Sequence, residues 1–176
     1  MDHGWDGRYC TIEIEERGDV MNSQNEVIKY LGLPEPNQIC IVVRNLKKTT
    51  EYYEQILNIG PFVFPDVRYT DVTYLGKPSD GYWKMAFARM GPIELELSCP
   101  IRPPSIYEDF LDEKGEGLHH IGFDVSNLDE AIKRAEGLGI KVLMSGRTSK
   151  GGFAHLDTTE FGGTIFEVIQ RPAPRV

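Results

Sequence analysis

The chain has 176 residues, 40% of them hydrophobic and 26% charged, with a net charge of −8. That length suits one core of ordinary size, or two small units sharing one, in a soluble globular protein. The acidic balance argues against nucleic acid as the main partner, since phosphate binding needs a basic surface, and no apolar run approaches the ~20 residues of a membrane span.

In chain order, residues 1–36 read as an N-terminal extension. Asp2, Asp6 and Arg8 among glycines lack the blocks of a signal peptide. Residues 10–16 alternate as a short strand, residues 22–31 suit a helix ended by Gly32, and Pro34 and Pro36 break regular structure. Cys10, Cys40 and Cys99 are odd in number and far apart, which fits a reducing cytoplasm rather than a disulfide framework. Residues 37–43 alternate as a strand, with Ile39, Ile41 and Val43 on one face and Gln38, Cys40 and Val42 on the other. Asn45 then caps a helix over 46–57. Strand character follows at 62–67, and a turn at 76–81 joins strands over 71–75 and 82–89. Residues 93–98 are another strand. Pro100, Pro103 and Pro104 mark a linker with a short helix over 105–113.

From Gly117 the pattern starts again. Residues 120–128 match residues 38–46 at an offset of 82, with a helix (128–138) following as in the first copy. Residues 162–168 match 91–97 at an offset of 71, so the middles differ by 11 residues. The chain is therefore predicted to hold two βαβββ modules, and repeats of this kind define architecture before any motif does. The predicted class is α+β: an open, cup-shaped mixed sheet with helices on its outer face. Module one spans 37–101, a linker 102–116 and module two 117–171, within a domain of 37–171; residues 172–176 form a tail.

Alternation sends Gln38, Glu96, His120 and Glu167 to the cup side, at repeat-equivalent positions. One amide, two carboxylates and one imidazole suit a divalent ion acting as a Lewis acid, beside which a carboxylate can take a proton from carbon α to a carbonyl. His119, one residue out of phase, is expected on the helix side or at a subunit contact. Glu94 and His155 share the parity of the cup wall.

On these residues the chain resembles the vicinal oxygen chelate superfamily, which includes glyoxalases, methylmalonyl-CoA epimerases, extradiol dioxygenases and bleomycin-resistance proteins. The resemblance covers about residues 37–171. Residues 115–125, 151–157 and 161–170 are most similar to the methylmalonyl-CoA epimerase type. That resemblance implies metal ligands at Gln38, Glu96, His120 and Glu167, with Glu167 also the base. It implies one divalent ion (zinc, cobalt, nickel or manganese), a metal-stabilised enolate and a small-molecule substrate such as an acyl-CoA. It further implies a cytoplasmic homodimer with no membrane or nucleic-acid partner. Asp66 and Asp71 are the nearest counterparts of a second epimerase base. The epimerase pattern carries histidine where Gln38 stands, whereas Gln–Glu–His–Glu is the set of zinc-type glyoxalase I. The run 97–100 lacks the glutathione-side residues of that enzyme. Two alternatives are a glyoxalase I-like lactoylglutathione lyase and a metal-free, resistance-type binding module using Tyr69, Tyr74, Tyr82 and Trp83. An iron dioxygenase would need a second histidine at Gln38.

Overall fold

The computed structural model describes residues 20–21, 27–28, 30–160 and 162–172. Strands β1 (Val20–Met21) and β2 (Val27–Ile28) pair antiparallel in a sheet of their own. The helix expected over 22–31 is thus corrected at its Val27–Ile28 step, where two adjacent β-branched residues favour extended backbone. The strand expected over 10–16 lies outside the described residues.

The main sheet contains β3 (Gln38–Val42), β4 (Thr70–Tyr74), β5 (Lys77–Pro78), β6 (Tyr82–Met90) and β7 (Ile93–Arg102). It continues with β8 (Gly117–Asp124), β9 (Val142–Thr148), β10 (Gly151–Leu156) and β11 (Ile165–Gln170). Their order across the curled sheet is β5-β4-β9-β10-β11-β8-β3-β7-β6. The repeat is visible in it. β8 pairs parallel with β11, as β3 does with β7, and β3 and β8 meet antiparallel at the centre, so the modules join within one chain. Outward from there, β10 and β9 in module two correspond to β6 and a single bridge, Val63 to Phe87, in module one. The strand expected over 62–67 is reduced to that bridge.

The extra residues of module one form the β4–β5 hairpin. It pairs with β9 of the other module, not with β6 as the turn at 76–81 suggested. Leu75 and Gly76, both at positive φ, reverse the chain directly after β4. Tyr69, just ahead of β4, stacks on Trp83 of β6 with ring centroids 5.6 Å apart. The two ends of the curled sheet therefore meet through aromatic rings.

Helices α1 (Leu46–Gln55), α2 (Ile106–Lys114) and α3 (Leu128–Gly137) begin at Asn45, Ser105 and Asn127. Each cap side chain accepts a backbone N–H of the first turn, a contact worth about 1 kcal/mol. α1 packs on the outer face with Val43, Leu46, Leu95 and Leu97, and α3 does so with Leu128, Ala135, Leu156 and Val168. α2, the linker helix, packs on the other face. Its Ile106, Tyr107 and Leu111 join Cys40, Val42, Met85, Met144 and Phe153, which closes the cup. No helix among the described residues is long and apolar enough to cross a membrane.

Candidate metal centre

Strand register lays two rows of side chains across the inner face. One runs His155, Glu167, Gly122, Gln38, Glu94; the next runs His120, Cys40, Glu96, Phe87. Gln38, Glu96, His120 and Glu167 are each no more than 5% exposed. Water is nearly absent from their surroundings, so every charge there is felt strongly.

His120 links the expected residues, with Glu167 on one side of it and Glu96 on the other. His120 Nε2 lies 3.0 Å from Glu167 Oε2, yet Nε2 has no aligned hydrogen-bond partner. Two atoms this close and unaligned resemble neighbouring donors to a third centre. Glu96 offers an oxygen within 4.8 Å of a His120 ring nitrogen and of Cys40 Sγ, and Ser98 Oγ donates to its Oε1 at 2.5 Å. Gln38 shares the face but is tethered. Its Nε2 donates to Glu94 Oε1 at 2.9 Å, and Arg171 donates to that same oxygen at 2.6 Å while also holding Asp124. The Gln38 Oε1 is buried without a partner. It lies over Gly122, where an added Cβ would stand 2.8 Å from it.

Module two brings more imidazole than expected. A bulge in β8 sets Cys40 opposite His120 and Ile41 opposite Leu118, leaving His119 as the extra residue. A bulge re-aims its side chain, and this corrects the expected outward orientation of His119. It is buried on the inner side, its Nδ1 2.9 Å from His120 Nδ1 and its ring against Tyr107 and Phe110 of α2. His155 Nε2 lies 3.5 Å from Glu167 Oε1 and from the Tyr107 hydroxyl. Glu167 thus stands between two imidazoles. Asp66 and Asp71, by contrast, are exposed and do not belong to the buried cluster.

Burial dominates the titration of this cluster, and neighbouring charges then sort its members. Burial, reinforced by Glu167 and only partly offset by His120, raises Glu96 to about 7. Burial pushes His120 down, but Glu167 and Glu96 together outweigh it and leave His120 raised. Burial, then the neighbouring imidazoles, lowers His155 well below its ordinary value; burial and His120 lower His119 to about 3. Burial, then Glu96 and Glu167, raises the Cys40 thiol.

The donor set fits a divalent ion. Unpartnered buried atoms cost free energy, and His120 Nε2, Gln38 Oε1 and His155 Nδ1 are all such atoms on this face. Among the described residues, two overlapping groups meet the spacing of metal ligands, Cys40–Glu96–His120 and His119–His120–His155. Cys40 drew no attention as a ligand from sequence, although its parity with Gln38 was legible.

Comparison with known proteins agrees with this architecture. The model of the glyoxalase/bleomycin resistance protein/dioxygenase superfamily matches residues 37–156. An uncharacterized Bacillus subtilis (strain 168) protein, YqjC, is 30% identical over 97 residues, covering 55% of this chain and 61% of that protein. The methylmalonyl-CoA epimerase from Mycobacterium tuberculosis superposes with a TM-score of 0.60 at 20% identity, over 87% of this chain and 97% of that one. A Streptomyces coelicolor methylmalonyl-CoA epimerase in complex with 2-nitronate-propionyl-CoA gives 0.62 at 22%, over 81% and 99%. The structural likenesses are of fold, and the sequence match reaches most of the chain. The chain belongs to the vicinal oxygen chelate superfamily, that of the glyoxalases, bleomycin-resistance proteins and dioxygenases.

Proposed function

We propose that the chain is a divalent-metal-dependent isomerase of the epimerase type, which moves a proton on carbon α to a carbonyl or thioester of an acyl-CoA-like substrate. The observation that carries this reading is Glu167, a carboxylate set between His120 at 3.0 Å and His155 at 3.5 Å on a face nearly closed to water. Glu96, His120 and Glu167 would hold the ion, with Gln38 on the same face, and the ion would supply Lewis-acid stabilisation to the substrate oxygens. Glu167 takes the α-proton. His155, with Nε2 3.5 Å from Glu167 Oε1, positions that carboxylate, whereas Asp66 and Asp71 lie at the surface.

The substrate approaches from a cavity of about 460 Å³ lined by Arg68, Tyr69, Trp83 and Arg102, among others. The Tyr69 and Trp83 rings touch Phe153, which touches His155. This aromatic layer lies between the cavity and Glu167.

Incubation with methylmalonyl-CoA and a divalent metal in deuterated water tests the reading. Exchange of the α-proton, lost on chelation and in Glu167→Gln, is expected; no exchange with any metal would sink it. A glyoxalase I-like activity is favoured by one specific observation, the unpartnered Gln38 Oε1, which would complete a Gln–Glu–His–Glu donor set if the side chain turned from Gly122 toward the ion. Formation of lactoylglutathione from methylglyoxal and glutathione would select that reading over the first.

A further inference from the structure

We infer that Cys40 is a ligand of the same cation, its thiolate joining Glu96 and His120 in a sulfur–oxygen–nitrogen set to which Glu167 adds a fourth donor. This rests on the metal-dependent reading above and assigns the ligands of that site. Cys40 Sγ, a Glu96 oxygen and a His120 ring nitrogen lie within 4.8 Å of one another, and all three residues are buried. Register places Cys40 directly between the other two, opposite Glu96 on β7 and opposite His120 on β8. Its side chain leaves β3, which pairs with β8 at the junction of the two modules.

Gln38 is differently placed. Its amide nitrogen is committed to Glu94, which Arg171 also holds, and its oxygen lies over Gly122 rather than between Glu96 and His120. Ser98 occupies only Oε1 of Glu96, so the other oxygen is free of that bond. When sulfur binds the ion, the S–H bond breaks, its proton leaves to solvent and a sulfur–metal bond forms. No oxidant is needed. A soft thiolate donor turns selectivity toward zinc or cobalt and away from magnesium or manganese, which oxygen donors suit.

The other described cysteine provides the control. Cys99 packs with the outer-face cluster, its Sγ donating to the Arg44 carbonyl at 3.6 Å. The chelator-stripped full chain carrying Cys10→Ser and Cys99→Ser, with Cys40 as its one remaining thiol, is titrated with Co(II). Visible d–d bands with an intense near-ultraviolet thiolate-to-Co(II) charge-transfer band are expected. Adding Cys40→Ser should remove the charge-transfer band and leave the d–d bands. Because the first measurement is made with Cys40 intact, it stands even if that last variant does not fold. Co(II) bound with d–d bands but no charge-transfer band would overturn the thiolate ligand and leave the metal-dependent reading in place. No binding of Co(II) or Zn(II) would overturn both.

Discussion

The two modules repeat one strand plan and carry opposite chemistry. Around β3 and β7, the inner face of module one presents an amide, a thiol, two carboxylates and a hydroxyl: Gln38, Cys40, Glu94, Glu96 and Ser98. Around β8, β10 and β11, module two presents three imidazoles and one carboxylate: His119, His120, His155 and Glu167. One of the three imidazoles follows from a bulge, since His119 reaches the inner side through the irregularity between Cys40 and Ile41. A duplicated scaffold can keep its hydrogen-bond ladder while each copy drifts to a different donor type. What both copies retain is a carboxylate on the last strand, Glu96 or Glu167, beside the first strand of its own module.

Substitutions in each half should separate their roles. The largest effect is expected from Glu167→Gln, which keeps shape and removes the carboxylate proposed as the base. Exchange of a substrate α-proton should fall about 10²–10⁴-fold, measured by NMR in deuterated water with metal loading matched to the parent chain. His120→Ala comes next. At pH 6, where the raised His120 is protonated, it leaves the buried Glu167 carboxylate without its nearest cationic partner, and breaking a buried pair costs about 3–5 kcal/mol, read from urea unfolding of the metal-free chain.

Module one should behave in the opposite sense. Glu96 is held above its ordinary value of 4.5, at about 7. The folded state therefore binds more protons than the unfolded one between those limits, and stability is lost as pH rises through 7. Glu96→Gln should raise the stability of the metal-free chain at pH 8, by something on the order of 3 kcal/mol. The same substitution in the presence of zinc should weaken metal retention.

His119 and His155 work against Glu96. Their folded values lie below 6.5, about 3 for His119. Stability from them is complete above 6.5 and is lost as pH falls toward 3, at about 1.4 kcal/mol per pH unit for each. Raised His120 loses its contribution as pH climbs above 6.5. Metal-free unfolding followed across pH should therefore show a stability maximum near 6.5; a monotonic rise to pH 8 would contradict this balance. Gly122→Ala is the smallest change proposed. Its Cβ would stand 2.9 Å from that of Gln38, and overpacking of this sort costs about 1–3 kcal/mol, again measured by urea unfolding.

Much of the scaffold was legible because its signals are local. Asn45 caps α1 and its repeat mate Asn127 caps α3, and the offsets of 82 and 71 positions expose the duplication. Period-two alternation places Gln38, Glu96, His120 and Glu167 on one inner face, because that face is a property of each strand alone. Three features were hidden because they depend on partners. The bulge at His119 is set by pairing with β3, and no residue of 117–120 announces it. The β4–β5 hairpin crosses to β9, a choice between two edges that residues 70–78 do not encode. Tyr107 in the linker helix meets His119 and His155 only after the sheet curls. Cys40 was visible, but a lone cysteine in a hydrophobic strand reads as core until Glu96 and His120 are seen on either side.

Anomalous diffraction from a zinc- or cobalt-loaded crystal tests most directly whether the two half-sites share one ion. The expected result is a single peak per chain in contact with Glu96 from module one and with His120 and Glu167 from module two. A peak bounded by His119, His120 and His155 alone would contradict it, because the ion would then belong to one module and the duplicated carboxylate of the other would have no part in holding it.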